Sequence, residues 1–139
     1  MSFFHNPALA RFSHTALRVI TGLLYMQHGA QKLFGMLGGV DGHGATAHTA
    51  LAVVAGVLEF FGGLLIVVGL FTRVVAFLLS GEMAYAYWMV HVARGGLIPI
   101  YNRGEFAALL CFVFLFLAFN GAGPWSLDAW RERRATAPA

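Results

Sequence analysis

Four stretches of this chain, 15–37, 51–70, 74–92 and 104–120, are apolar and close to the length of a helix that crosses a membrane. A hydrocarbon core of about 30 Å takes roughly 20 helical residues at about 1.5 Å each. The runs are continuous and lack the period-two alternation of barrel strands, so the expectation is helices. Composition agrees: 59% of the 139 residues are hydrophobic and 11% charged, against about 45–50% apolar in a soluble domain. A small soluble domain exposes too much of its surface to hide such a composition. The expected fold is an all-α membrane protein, one domain over 1–139, built as a four-helix transmembrane bundle.

The joins between these stretches set the topology. Phe71-Thr72-Arg73 alone separates the second and third, so those two form a tight antiparallel hairpin. A Gly- and His-rich loop, 38–50, separates the first two; a link, 93–103, with Gly95, Gly96 and Pro99 separates the last two. Asn120-Gly121-Ala122-Gly123-Pro124 stops the fourth. Four spans put both termini and the 71–73 turn on one face, which carries Arg11, Arg18, Arg73, Arg131, Arg133 and Arg134. The opposite face carries Lys32, Arg94 and Arg103. For a chain in a bacterial-type inner (plasma) membrane, the excess of basic residues predicts that both termini are cytoplasmic. The N-terminus lacks the order of a cleaved signal peptide, so the first span is expected to stay. The tail beyond Trp130 is expected to fray and to touch anionic headgroups.

Several chemistries drop out. Cys111 is the single cysteine, which removes disulfides, CxxC redox chemistry and iron–sulfur ligation within one chain. The formal charge of +3 comes from basic residues at the ends of apolar segments, the pattern of membrane anchors and not of a nucleic-acid face. Asp41, His43 and His48 match no standard zinc spacing and read as a solvated loop. No metal is expected, and nothing in the spacing demands haem on a ligand such as His28.

Ionisable residues inside a membrane are costly and are usually paired or face a cavity. Glu59, Glu82 and His28 fall near the middles of the second, third and first spans. Glu59 precedes Thr72 by thirteen residues and Glu82 follows it by ten, so their heights differ by only about 5 Å. One shared polar site is therefore expected, with these three as the catalytic candidates. Gln31 and Lys32 continue a polar stripe from His28. With His91, Arg94, Arg103 and Glu105 they suggest a vestibule at the non-terminal end, or an interfacial belt with a Lys32–Glu105 pair. Tyr85, Tyr87 and Trp88 are candidate aromatic walls. Gly56 and Gly63, like Gly62 and Gly69, lie seven apart around Glu59 and read either as packing grooves or as room for a flat ligand.

These residues carry a family resemblance. Gln27-His28-Gly29-Ala30-Gln31-Lys32-Leu33-Phe34-Gly35 followed by Gly38-Gly39 resembles the first-helix signature of the DoxX family of small bacterial membrane proteins. Gly56-Val57-Leu58-Glu59-Phe60-Phe61-Gly62-Gly63, continuing to Gly69-Leu70-Phe71-Thr72-Arg73, resembles its second helix and hairpin. Gly81-Glu82-Met83, Asn102-Arg103-Gly104-Glu105 and Gly121-Ala122-Gly123-Pro124-Trp125-Ser126-Leu127-Asp128 fit as well. The resemblance implies a four-helix membrane protein of an oxidoreductase system; relatives include the membrane subunit of thiosulfate:quinone oxidoreductase and proteins linked to quinone detoxification or oxidative stress. It implies no particular catalytic residues.

The functional expectation is a quinone-interacting membrane component of an electron-transfer system. A quinone needs a lipid-accessible slot, a hydrogen-bond donor and a proton source. Glu59, Glu82 and His28 are the candidates for the chemistry, and Gln31, Lys32, Tyr85, Trp88, His91, Arg103 and Glu105 for binding. The sequence carries no redox centre of its own, so electrons are expected from a bound cofactor or from partner subunits. The alternatives are a non-enzymatic accessory or assembly subunit of a membrane complex, and a small transporter, for which four helices require a homo-oligomer.

Overall fold

The computed structural model describes residues 5–136, and over them the chain is all-α. Helix α1 (Pro7–Phe34) starts eight residues earlier than expected, because Asn6 caps the Ala8 amide and Pro7 supplies a preset first turn. It ends at Gly35, which takes the left-handed conformation at φ 65°. Helix α2 (Ala50–Val68) is capped by the Thr49 side chain and stopped by Gly69. Its middle turn, Leu58–Gly62, is π-helical. Helix α3 (72–95) runs as an α-helix over Thr72–Tyr85 and as a π-helix over Ala86–Val92. A short α4 (Pro99–Asn102) leads into α5 (Glu105–Asn120).

The final helix is a correction to the frayed tail: Ser126 caps the Ala129 amide and opens α6 (Leu127–Ala135). The Arg131 guanidinium sits over the Phe71 ring and that of Arg134 over Trp130. The last three residues of the expected tail, 137–139, lie outside the described region.

α1 packs along α2, and α3 along α5, with one core between the pairs. Tyr25, Ile66, Ala76, Leu79, Met83, Leu110, Phe114 and Leu117 fill it, drawn from all four long helices. The outer faces are apolar and uncovered: Phe77, Leu109, Phe112 and Phe119 are exposed. Among the described residues, α2 is the one helix long and apolar enough to cross a membrane by length and composition. α5 is apolar but has sixteen residues, and α1 and α3 carry Arg18, Lys32 and Glu82 within them.

Glycine sets the distance between α1 and α2. A Cβ at Gly29 would stand 2.4 Å from the Phe60 amide nitrogen, and one at Gly22 would stand 2.8 Å from the Gly63 carbonyl oxygen. Gly56 receives the Lys32 stem, Gly62 faces Leu79, and Gly69 faces Ser126 and Arg18. The three glycines of α2, Gly56, Gly62 and Gly63, and its stop Gly69 are thus positions of close approach. These contacts are those of packing grooves, the first of the two readings of the glycine pairs.

Each end of the molecule is stitched by side chains that satisfy helix termini. At the terminal end, Arg18 is 1% exposed and donates to Ile66 O, Val67 O and Trp125 O at 2.6–2.7 Å. It is a buried cap on carbonyls at the end of α2, inside the bundle rather than on the terminal face where the charge comparison counted it. Arg73 caps Ala118 O and Phe119 O at the end of α5, and His14 Nε2 meets Gly121 O. Asp128 accepts the amides of Phe71 and Thr72, both at 2.8 Å. At the other end, Asn102 links Gly96 O to the Gly104 amide. Asp41 accepts the amides of Ala45 and His43, which hold its carboxyl below the usual carboxylate range and fold the 38–50 loop.

Gly29→Ala therefore should lower stability by about 1–3 kcal/mol, since backbone and not a flexible side chain meets the new methyl. Gly81 has open space around it, and Gly81→Ala should be neutral or stabilising. Thermal unfolding of both variants in one detergent checks the contrast; equal melting temperatures would contradict the close-approach account.

Candidate functional site

Tyr25 and Lys32 lie seven residues apart on α1, hence on one face and separated by about 10 Å along the axis. That face meets two carboxylates, Glu59, which is buried, and Glu82, which is half-buried. Lys32 Nζ donates to Glu59 Oε1 at 2.5 Å, and Tyr25 Oη donates to Glu82 Oε2 at 2.8 Å. The Lys32–Glu59 contact replaces the expected Lys32–Glu105 pair. Its cause is local: Gly56 lets the Lys32 stem pass against α2, and the π turn adds a residue to the helical turn that carries Glu59. Glu59 is 4% exposed. Tyr25 is fixed by an edge-to-face contact with Phe114, ring centroids 4.9 Å apart.

Glu59 Oε2 and Glu82 Oε1 are both buried, and neither has a hydrogen-bond partner in the chain. Glu82 is within electrostatic reach of both Glu59 and Lys32. Lys32 brings one positive charge against two carboxyls, so full ionisation would leave one excess negative charge in an apolar interior. Each carboxyl keeps one open position for a proton, a water or a ligand group.

The remaining candidates are distributed differently. His28 is exposed on the outer side of α1, its ring 5.1 Å from Phe106, and is not bonded into the carboxylate pair. Gln31 donates to Leu37 O. His91 Nδ1 meets Asn102 O, and Tyr87 donates to Leu97 O, so this end is tied by side chains to backbone carbonyls. Tyr85 and Trp88 face outward, with Trp88 against Tyr87. Arg103 and Glu105 are exposed at the start of α5. The outer-end residues therefore do not converge on the carboxylates. No group of three or more His, Cys, Asp or Glu side chains able to hold a metal occurs among the described residues.

Tyr25 is the residue that sequence reasoning missed. The available signal was its spacing of seven from Lys32, which becomes informative once the inward face of α1 is known.

The DoxX family profile matches residues 13–92, more than half of the chain and the whole of the Tyr25, Lys32, Glu59 and Glu82 arrangement. This chain belongs to the DoxX family. It is 41% identical over 81% of its length to an uncharacterized protein of Haemophilus influenzae, covering 85% of that chain. It is 33% identical to a Bacillus subtilis protein named "Putative oxidoreductase CatD", with 81% of each chain covered. An uncharacterized membrane protein of Mycobacterium tuberculosis is 32% identical over 87% of this chain and 82% of its own. No solved structure gives a significant match. This DoxX-family chain is accordingly a membrane protein.

Removing one partner of a buried ion pair strands the other charge. Lys32→Met should therefore destabilise this DoxX protein by about 3 kcal/mol, the low end of the range, because the Lys32 side chain is 28% exposed. The double variant Lys32→Met/Glu59→Leu should recover most of that loss. A double-mutant cycle by detergent unfolding measures it, and additive losses would show that the two side chains act independently.

Proposed function

We propose that this DoxX-family protein crosses the membrane four times, with α1, α2, α3 and α5 as the spans and both termini in the cytoplasm. The apolar outer faces and the helix lengths support this reading; α1, with 28 residues, reaches about 42 Å. Burial of Arg18 and pairing of Lys32 remove one basic residue from each side of the charge comparison. Arg11, Arg73, Arg131, Arg133 and Arg134 then stand against Arg94 and Arg103, which keeps the same orientation. In intact bacteria carrying Cys111→Ala, a cysteine at His43 should react with an impermeant maleimide, and one at Ala135 should not. The opposite labelling would invert the topology.

Within that bundle, we propose a quinone-interacting component of an oxidoreductase system. The observation that carries it is the pair of carboxyls, Glu59 buried and Glu82 half-buried, each held by a different donor on α1 and each with one enclosed oxygen unpartnered. Reduction of a quinone takes two electrons and two protons and yields the hydroquinone. The electrons come from the redox centre of a partner subunit. Lys32, half-buried beside the lipid-facing His28, is placed to donate to a quinone carbonyl, and Glu82 with Tyr25 to pass a proton. The competing reading is an accessory subunit whose ion pairs lock helices, favoured by the use of Arg18 and Arg73 as caps.

Titration of a short-chain quinone analogue against tryptophan fluorescence in nanodiscs separates the two. Saturable binding should weaken at least tenfold, about 1.4 kcal/mol, in both Lys32→Met and Glu82→Gln. A wild-type protein that binds no quinone, or variants that bind it unchanged, would leave the accessory role.

A further inference from the structure

Helix α6 and the 69–73 turn form a second polar feature, far from the carboxylates and unused by the proposed redox role. Two grooves run beside α6. One, about 740 Å³, is lined by Thr72, Arg73, Asp128, Arg131 and Glu132 together with the 120–124 turn. The other, about 340 Å³, is lined by Leu70, Phe71, Leu127, Trp130 and Arg131. Both volumes fall in or near the range of small-ligand clefts. Phe71 and Arg131 belong to both grooves, and the Arg131 guanidinium stands 4.8 Å above the Phe71 ring. A cation stacked on an aromatic ring thus divides a polar groove from an apolar one.

Three details of this wall are unexplained by packing alone. Thr72 is 0% exposed, and its hydroxyl has no hydrogen-bond partner although the residue lines the polar groove. Phe71 holds φ at +52°, a conformation that glycine adopts freely, yet its side chain is 55% exposed and adds nothing to the core. Asp128 is committed to the Phe71 and Thr72 amides and one Arg73 nitrogen to the Ala118 and Phe119 carbonyls, so Arg131 and the remaining edge of Arg73 line the polar groove with one other carboxylate, Glu132. A guanidinium stacked face-on still directs its N–H edge outward, the geometry that suits a phosphate.

We propose that the two grooves hold one membrane glycerophospholipid. Its phosphodiester lies against Arg73 and Arg131, and the start of one acyl chain lies in the slot between Leu70 and Trp130. The assignment rests on the four-span reading, which sets α6 at headgroup depth with Trp125 and Trp130 at the interface. It is independent of the quinone site. Phe71 is retained in a strained conformation because its ring is the platform that positions Arg131 between head and tail.

Native mass spectrometry of the full chain with added phosphatidylglycerol or phosphatidylcholine tests this. Wild type should retain one molecule of either lipid. Arg131→Gln should reduce the lipid-bound fraction at least tenfold, while Arg134→Gln, a residue of neither lining whose guanidinium lies over the Trp130 ring, should retain it. Phe71→Gly should lose lipid while unfolding at or above the wild-type temperature; if that variant fails to fold, Arg131→Gln decides alone. Equal loss in Arg131→Gln and Arg134→Gln would reduce the effect to diffuse surface charge and overturn the site. So would equal retention of diacylglycerol, which lacks the phosphodiester, or displacement of the lipid by inorganic phosphate. Quinone affinity should be unchanged in Arg131→Gln, so failure here is distinguishable from failure of the redox reading.

Discussion

Polar groups inside an apolar bundle have to be satisfied by the chain itself, and one guanidinium does this for three elements at once. Arg18 reaches from α1 to the carbonyls of Ile66 and Val67, where α2 ends, and to that of Trp125, just before α6. The carbonyl end of α2 carries the negative pole of its dipole, so a positive charge there is stabilised and in turn stabilises the helix end. Were these contacts broken, three carbonyls and a buried cation would lose their partners together. Gly69 makes the contact possible: a Cβ there would stand 2.8 Å from the Arg18 Nη1 atom. The family-like segments Gly69 to Arg73 and Gly121 to Asp128 are therefore two halves of one end-plate. Arg18, Arg73 and Asp128 close three helix termini within it.

Much of this was legible in the residues. The three-residue turn at 71–73 dictated a hairpin, the Gly and Pro cluster at 121–124 stopped α5, and Glu59 and Glu82 declared themselves as ionisable groups in apolar surroundings. The partners of those groups were not legible. Lys32 near the end of an apolar run looks like an anchor, and only the glycine at position 56, on another helix, tells that its stem runs inward. Tyr25 is ordinary among the aromatic residues until the packing of α1 against α2 fixes which side faces the core. Arg18 binds a carbonyl 107 residues away, a contact that no local pattern encodes.

Helix boundaries differ from the hydropathy reading for a related reason. Apolar length measures what suits lipid, whereas caps measure where the backbone can start and stop. Asn6 with Pro7 extends α1 well before its apolar stretch, and Ser126 starts a helix in a polar tail that hydropathy assigns to solvent. The π turn at Leu58–Gly62 is a third case: nothing in the apolar run announces it, yet it occurs where α2 meets both Lys32 and the closest glycine contact with α1.

The placement of Tyr25 and Lys32 on one face of a single helix has a mechanical consequence. Each carboxylate belongs to a different helix, but both are read by α1, which acts as a common shaft. A shift of α1 by one residue would move it about 1.5 Å along its axis and turn it by about 100°. Both donors would leave their acceptors in the same motion, and the glycine contacts against α2 would be lost with them. The two carboxyl sites are thus geared together by rigid geometry, whatever the distance between their oxygens. An event that pulls on one end of α1, where Arg18 anchors it to the end-plate, is transmitted to both.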